Sequence, residues 1–263
     1  MSQITVRHKQ FTFPPETDRH WLGNSPFRTH FFNSFTLLFP EGEQLAIRYF
    51  KKVLSQIHRP KLHEEVVAFI GQEGQHAAAH GQFWSTLRQQ GYQLDRYATI
   101  QQVFISKKQR FSTGFYLATI AGFEHFTDCL AELVLESRLL AAAPAPLQEL
   151  FEWHFAEELE HKTVAYDVFQ QLDHRYPMRI LGLINAHFAI LGAVILGLIT
   201  LLGQDRQLFK LKTIQDAVQF LFLQEKFCWK ALTNFVTYLR FDFHPAQKDS
   251  SALSQKILGR VNS

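Results

Sequence analysis

The chain has 263 residues, of which 46% are hydrophobic and 19% charged, so it is long enough to bury a core and is not of disordered composition. Its net charge of +3 is small and its basic residues are scattered, which argues against a nucleic-acid-binding protein. The two cysteines lack the spacing of metal ligands and the N-terminus has no apolar secretory segment, so we expect a cytoplasmic chain. Its 26 phenylalanines indicate a thick aromatic core, an apolar cavity or contact with lipid.

Hydrophobic periodicity predicts helices along the chain, and no segment of any length alternates as a β-strand would. The predicted fold class is therefore all-α. Residues 1–33 carry several prolines and are interpreted as an irregular N-terminal arm. The weaker pattern over 92–109 predicts a long connection between two helices. The four long helical blocks cover residues 40–56, 61–91, 110–142 and 147–172.

The C-terminal part of the chain contains an uncharged apolar segment. Residues 181–203 include no Asp, Glu, Lys or Arg and are long enough to span a bilayer, although Asn185 and His187 lie inside them. Three interpretations stay open: a helix buried in the core or against a second copy, a helix lying in a membrane interface, and a spanning helix. An amphipathic block at 211–239 follows, and we expect the tail at 246–263 to be frayed.

Two of the predicted helices carry the same motif, Glu-x-x-His. The second helix contains Glu73-Gly-Gln-His76, and the fourth contains Glu158-Leu-Glu-His161. Residues three apart share one face of a helix, so each motif directs a carboxylate and an imidazole the same way. One such motif is weak evidence because surface helices are rich in glutamate, but two copies on separate long helices are stronger.

The other two long helices each offer a glutamate in apolar surroundings, Glu43 on the first and Glu124 on the third. Packing alone does not account for an anion among apolar neighbours. One Glu from each of two helices plus Glu-x-x-His from each of the other two is the ligand set of ferritin-like di-iron and di-manganese proteins. We therefore expect two metal ions, iron or else manganese or zinc. The predicted ligands are Glu43, Glu73, His76, Glu124, Glu158 and His161.

These motifs predict a ferritin-like four-helix bundle with an additional C-terminal apolar helix and a final amphipathic helix. The predicted domain covers residues 34–245, with the metal-binding bundle at 34–175 and the C-terminal helices at 178–245. Ferritin-like bundles have one long crossover. Placing it at 92–109 makes the second and third helices parallel, with the first and fourth running opposite to them.

These helix directions predict a second polar layer beside the metals. His80 and Asp128 each lie one turn after a predicted ligand, on the second and third helices, and His154 lies one turn before a ligand on the oppositely directed fourth helix. All three would then lie at the same end of the site. They are our candidate catalytic residues, as an extra metal ligand, a proton relay or hydrogen-bonding groups that orient the ligands. In the alternative, one or more of them face solvent or a loop.

Four stretches of the chain resemble a bacterial family whose members are described as predicted metal-dependent hydrolases. The resemblance runs from about residue 39 to residue 245 and is most specific on the fourth helix. It implies a hydrolase, whereas the ligand pattern favours a different class. The four stretches are Phe39-Pro-Glu-Gly-Glu43, Phe69-Ile-Gly-Gln-Glu73-Gly-Gln-His76, Trp153-His154-Phe-Ala-Glu157-Glu158-Leu-Glu-His161-Lys-Thr-Val-Ala-Tyr-Asp167 and Asp242-Phe-His-Pro245.

Three functions fit this pattern, and we expect the first. The first is a di-iron oxidase or oxygenase that activates O2 and acts on a small or hydrophobic substrate, in keeping with the Phe-rich composition. The second is a metal-dependent hydrolase that uses a metal-activated water. The third is a non-catalytic iron-binding protein. The expected partners are a small-molecule substrate and, through 181–203, a membrane surface or a second copy of the chain.

Overall fold

The computed structural model describes residues 4–108 and 111–261, without the side chains of 104–108. Over that part of the chain the structure is all-helical and has no β-strand, which confirms the predicted fold class. The helices pack as a bundle around an aromatic core. Their bounds are α1 Pro26–Val53, α2 Pro60–Gln89, α3 Asp95–Lys108, α4 Thr113–Ser137, α5 Ala145–His161, α6 Val164–Leu172, α7 Tyr176–Gln204, α8 Leu211–Val218, α9 Phe227–Tyr238 and α10 Ser251–Val261.

The first helix is longer than the sequence pattern predicts. The irregular arm assigned to 1–33 is wrong in its last part, because α1 begins at Pro26, a residue well suited to the first turn of a helix. Pro40 lies inside the same helix and has no N–H to donate to the carbonyl oxygen of Thr36. The indole Nε1 of Trp84 donates to that oxygen at 2.9 Å. This bond satisfies the acceptor that the internal proline leaves free.

Contacts near both ends of the helix pairs define the directions of the four bundle helices. Helix α1 is antiparallel to α2 and to α4, and α2 is antiparallel to α5. The predicted directions, with the second and third bundle helices parallel, are therefore confirmed. The contacts pair Thr36 with His80 and Phe50 with Phe69 (α1 and α2), Phe35 with Phe126 and Tyr49 with Tyr116 (α1 and α4), and Gln72 with His161 and His80 with His154 (α2 and α5).

Two segments that the sequence pattern leaves without structure are helical. The long connection between α2 and α4 contains α3, whose first turn carries Asp95 in a position that favours the helix dipole. The expected frayed tail contains α10, which packs on α5: Ile257 and Leu258 are buried, and Ser254 Oγ donates to the carbonyl of Ala156 at 2.8 Å. Isolated helices this short are only marginally stable in water, so tertiary packing stabilises α3 and α10. Their hydrophobic periodicity is too weak to predict them from the sequence.

Two predicted helices are interrupted. The fourth block, 147–172, breaks directly after His161, so that α5 ends with the last motif residue and α6 continues beyond it. The amphipathic block at 211–239 passes from α8 through a π-helical turn at Gln219–Gln224 to α9. Between them Lys226 adopts the left-handed region with φ of +54°, which ends the regular hydrogen bonding of the turn before it.

Helix α7 contains the apolar segment and passes the length and composition test for a membrane-spanning helix. Only 33% of its most apolar window is buried, so α7 is not a core helix. One face packs closely on the bundle: an added Cβ at Gly182 would meet Ala118 of α4, and one at Gly197 would meet Ser34 of α1. The helix therefore lies along the outside of the bundle with one apolar face covered and one exposed.

Candidate metal centre

The four bundle helices direct all six predicted ligands into one region between them, where each side chain belongs to a residue at most 3% exposed. The donor atoms form two groups, and within each group all of them lie within 4.8 Å of one another. The structure therefore brings the predicted ligands together and adds His154 to them. The first group is Glu43, His76 and His154, and the second is Glu73, Glu124, Glu158 and His161.

Many polar atoms that face this region lack a hydrogen bond. Buried polar atoms in proteins are nearly always hydrogen-bonded, and an unpaired one costs about 1–3 kcal/mol. In the part of the chain that the structure describes, no lysine or arginine forms an ion pair with the four glutamates of the two groups. Bound cations would satisfy these atoms, so the donor set fits a pair of metal ions. The unpartnered atoms are Glu43 Oε1 and Oε2, Glu73 Oε1, Glu124 Oε2, Glu158 Oε2, His76 Nδ1 and His161 Nδ1.

The two motif histidines lie among the carboxylates. His161 Nδ1 is 2.9 Å from Glu73 Oε1, in a contact without hydrogen-bond geometry, and 3.6 Å from Glu124 Oε2. His76 Nδ1 is 3.6 Å from Glu73 Oε1 and 3.6 Å from Glu158 Oε1. His161 Nδ1 also lies 3.8 Å from Glu158 Oε1. Glu73 and Glu158 thus approach both histidines, whereas Glu124 approaches only the second, so the motif glutamates occupy the middle of the cluster.

The electrostatics of the cluster favour added positive charge. Burial, reinforced by neighbouring carboxylates, raises the pKa of Glu124 to about 8 and holds the pKa of Glu43 well above its usual range. Burial opposes ionisation of His76, but the hydrogen bond to Glu157 and the negative charge of nearby Glu73 outweigh it and raise the pKa of His76 to about 10. Each shift lets the site gain a proton, which is the response expected of crowded carboxylates that lack a cation.

Outer hydrogen bonds fix which nitrogen of each motif histidine faces the carboxylates. His76 Nε2 donates to Glu157 Oε2 at 2.9 Å, and His161 Nε2 lies 2.7 Å from Gln72 Oε1. The amide nitrogen of Gln72 donates to Glu160 and to a backbone carbonyl, so its oxygen must be the atom that faces His161. Both motif histidines therefore carry a proton on Nε2, so that loss of the second proton would present the Nδ1 lone pair to the site.

One arginine of the N-terminal arm connects these two outer chains. Arg7 Nη1 donates to Glu157 Oε1 at 2.9 Å and to Glu160 Oε2 at 3.0 Å, and Nη2 donates to Glu160 Oε1 at 3.1 Å. Through these two glutamates it supports both motif histidines. The preceding residue, Val6, packs onto α2 at Gly71, where an added Cβ would lie 2.6 Å from a valine methyl. The arm is therefore a structural part of the site.

His80 and His154 form a hydrogen-bonded chain at one end of the site. His154 Nε2 is 3.0 Å from Glu158 Oε1 and 3.8 Å from Glu43 Oε1. Its Nδ1 is 2.7 Å from His80 Nε2, and His80 Nδ1 is 3.1 Å from Thr36 Oγ1. Burial lowers the pKa of both histidines well below the usual value, so both are neutral near pH 7. A neutral pair has two proton arrangements, and in one of them His154 Nε2 offers a lone pair to a metal.

Asp128, the third member of the predicted polar layer, lies in a different environment. It is buried, and its Oδ1 has no hydrogen-bond partner. Burial raises its pKa to about 7, and the charges that act on it most are Lys162, Glu132 and Lys248. Among the described residues, no hydrogen bond or ion pair joins Asp128 to either histidine of the layer. The structure thus unites two of the three candidate catalytic residues.

Aromatic rings enclose the histidines of the site. The rings of Phe39, Phe69 and Trp153 lie 4.4, 4.5 and 4.9 Å from the rings of His154, His161 and His76, respectively. This apolar shell restricts the histidine rotamers and excludes water, which strengthens electrostatic interactions inside the site.

A family model described as "predicted metal-dependent hydrolase" matches residues 5–249. The chain belongs to this family. Membership confirms the resemblance visible in the sequence, and the matched range includes the arginine of the N-terminal arm. It supports a metal-dependent enzyme, and it favours the hydrolase alternative over the expected oxygenase. No curated protein and no solved structure matches the chain.

Sequence reasoning missed Arg7 and Gln72. Gln72 carries a signal that could have identified it, because it lies one turn before His76 on the same face of α2. No signal marks Arg7, which lies outside every helix and reaches the site only through the fold.

Proposed function

We propose that the chain is a binuclear metal-dependent hydrolase. The observation that carries this proposal is the set of inward-facing carboxylate oxygens and Nδ1 atoms that have no hydrogen-bond partner. Family membership supports the reaction class. The six predicted ligands, with His154 as a seventh, would hold the ions, and a bound metal pair can polarise a substrate and lower the pKa of a water molecule.

The protein side chains would divide the remaining work. Glu73 and Glu158 lie near both motif histidines, in the middle of the donor set that would hold the ions, whereas Glu43 and Glu124 belong to different groups of donors. His80 Nε2 would orient His154 by accepting a hydrogen bond from the Nδ1–H group of His154. The aromatic shell would exclude bulk water and select a small or hydrophobic substrate.

The test is loading of metal-free protein with Zn(II) or Mn(II) under anaerobic conditions, followed by metal analysis and assay of nitrophenyl esters and phosphoesters. We expect two ions per chain and hydrolysis that does not need O2. Fewer than two ions in wild-type protein would contradict the ligand set. Binding of two ions with turnover only in the presence of Fe(II) and O2 would contradict the proposal that the reaction is hydrolysis.

The second candidate is a di-iron oxidase or oxygenase, and one specific feature favours it. The donor set consists of four carboxylates and imidazoles without a thiolate, contributed by all four helices of a ferritin-like pattern. This candidate predicts that adding Fe(II) to metal-free protein consumes O2 in proportion to the iron bound, and that Zn(II)-loaded protein is inert. Iron binding without turnover of either kind would indicate the non-catalytic alternative.

A further inference from the structure

Helix α7 presents an apolar stripe to the outside of the described structure. Its members recur every three or four residues, opposite the face that packs on α1 and α4, and they are 37% to 72% exposed. The stripe extends over about 27 Å at a rise of 1.5 Å per residue. A contiguous apolar surface of this kind marks an interaction site. The stripe consists of Leu181, Ile184, Phe188, Leu191, Ile195 and Ile199.

The segment after α7 extends this surface. Helix α9 lies beside α7, since the ring of Phe235 is 5.0 Å from the ring of His187. Phe209, Trp229 and Phe241 are 88%, 57% and 82% exposed, which is unusual for large aromatic side chains. Helices α8 and α9 also turn apolar residues outward at helical spacing, so both are amphipathic with the apolar side uncovered.

The same segment concentrates positive charge. Residues 206–240 contain six lysines and arginines and two acidic residues, a difference of +4, against +3 for the whole chain. One of the two acids, Asp216, is already paired with Arg28 of α1. Among the described residues, five exposed cations here form no ion pair. They are Arg206, Lys210, Lys212, Lys226 and Lys230.

We propose that this face, formed by the α7 stripe and the α8–α9 segment, binds the surface of an anionic membrane with α7 lying in the interface plane. Interfacial helices insert their apolar face about 5–10 Å into the headgroup boundary and use Lys and Arg to attract anionic lipid. Tryptophan prefers that boundary, which suits the exposed Trp229. This inference rests on the outer surface and is independent of the metal centre.

The charge distribution decides between a membrane and the other occupants of this face. A second copy seated on the same face in a symmetric dimer would place like charges opposite each other, whereas anionic headgroups complement them. Spanning the bilayer is disfavoured because α7 is packed against α1 and α4 through Gly182 and Gly197. Crossing would carry those helices, with their buried carboxylates, into the hydrocarbon.

The test is sedimentation of the full chain with phosphatidylcholine vesicles that contain or lack phosphatidylglycerol. We expect binding to the anionic vesicles at least about tenfold tighter than to the neutral ones, with a blue shift of tryptophan emission that Trp229→Phe abolishes. Phe188→Glu should lose binding to both kinds. The double variant Lys210→Glu/Lys212→Glu should lose about tenfold or more on anionic vesicles only.

Matched controls place the same changes elsewhere on the surface. Val67→Glu on α2 replaces another exposed apolar residue, and Lys51→Glu/Lys256→Glu reverses two exposed charges outside the proposed face; both should bind as the wild type does. Unchanged melting temperatures would show that the variants are folded. No vesicle binding by the wild type, equal loss in the control variants, or a stable dimer in sedimentation velocity that Phe188→Glu dissociates would each overturn the proposal.

Discussion

The described structure holds two compact clusters of histidines and carboxylates, and they are built differently. The metal centre leaves most of its inward donor atoms without partners. The second cluster joins His20, His30 and Asp205, whose donor atoms also lie within 4.8 Å of one another. There, Asp205 Oδ2 is 2.7 Å from the Nε2 atoms of both histidines and from the Tyr92 hydroxyl, and Arg19 Nε lies 2.6 Å from Oδ1.

Asp205 and Glu124, one carboxylate from each cluster, have opposite pKa shifts. Burial opposes ionisation of Asp205, but hydrogen bonds from His30, Tyr92 and His20 outweigh it and lower its pKa below the usual range. Burial raises the pKa of Glu124, and its acidic neighbours reinforce the effect. Proximity of ligand types therefore does not by itself make a metal site. The deciding feature is whether the protein has already supplied the positive partners.

The position of one arginine accounts for much of this difference. Arg19 contacts the central carboxylate of its cluster directly and occupies the place that a cation would take. Arg7 stands one layer further out, on Glu157 and Glu160, and leaves the inner carboxylates without an arginine or lysine partner among the described residues. An arginine in the outer layer orients metal ligands, whereas one in the inner layer substitutes for a metal.

The sharpest test of this comparison is the removal of one carboxylate from each cluster. We expect Glu124→Ala to abolish binding of at least one of the two ions, because it removes the candidate ligand that α4 contributes, whose Oε2 lies 3.6 Å from His161 Nδ1. Asp205→Asn should leave both ions bound. Metal analysis after equilibrium dialysis measures both outcomes, and retention of two ions by Glu124→Ala would contradict the ligand set.

We expect the second cluster to contribute to the stability of the fold and not to metal binding. Asp205→Asn replaces a carboxylate, whose Oδ2 accepts three hydrogen bonds, by an amide. The NH2 group of the amide would then face hydrogen-bond donors of the neighbouring side chains. We expect a loss of about 2–4 kcal/mol in the free energy of unfolding, measured by urea denaturation of metal-free protein. Glu124→Gln in the same assay should cost less, because the Glu124 carboxyl is already protonated near pH 7 and the amide is a neutral replacement of similar shape. An unaltered stability of the Asp205 variant would remove the structural role assigned to this cluster.

Loss of the outer arginine should weaken metal binding without changing its stoichiometry. Arg7→Ala frees Glu157 and Glu160, which hold the outer nitrogens of the motif histidines directly or through Gln72, and such support is worth about 10–100-fold in metal affinity. The metal affinity of Arg7→Lys should lie between those of the wild type and Arg7→Ala. Competition with a chromophoric chelator gives the affinities, and Arg240→Ala, at an exposed ion pair, is the control. Equal affinities in all three variants would show that the arm is irrelevant to the site.

The smallest expected effect is a pH dependence of metal binding. In metal-free protein the pKa of Glu124 is about 8, so the carboxyl is protonated at pH 7 and must release its proton to bind an ion. Apparent affinity should therefore fall more steeply as the pH drops below about 8, in addition to the fall caused by the proton on His76. Calorimetry in buffers of different ionisation enthalpy should show proton release that declines between pH 7 and pH 9, and release that stays constant over this range would contradict the assigned pKa.

Much of the metal centre could be predicted because helical spacing is a local property. Two residues three apart share a face wherever the helix lies, so Glu73 with His76 and Glu158 with His161 could be paired from the sequence. Helix direction then placed His80 beside His154 correctly. The same argument did not connect Asp128 to them, because the fold places Asp128 among the charges of Lys162 and Lys248, which spacing along α4 does not reveal.

The sequence by itself determined the fold class, the two motifs and the apolar segment, since each depends on the residue types within one helix. Only the tertiary structure decided which atoms find partners. It placed Arg7 against the outer glutamates, paired Asp205 with Arg19, and left one face of α7 uncovered, because these contacts join residues that are distant in the chain. Whether a carboxylate meets an arginine or other carboxylates is a property of packing, and that property separates the metal centre from the second cluster.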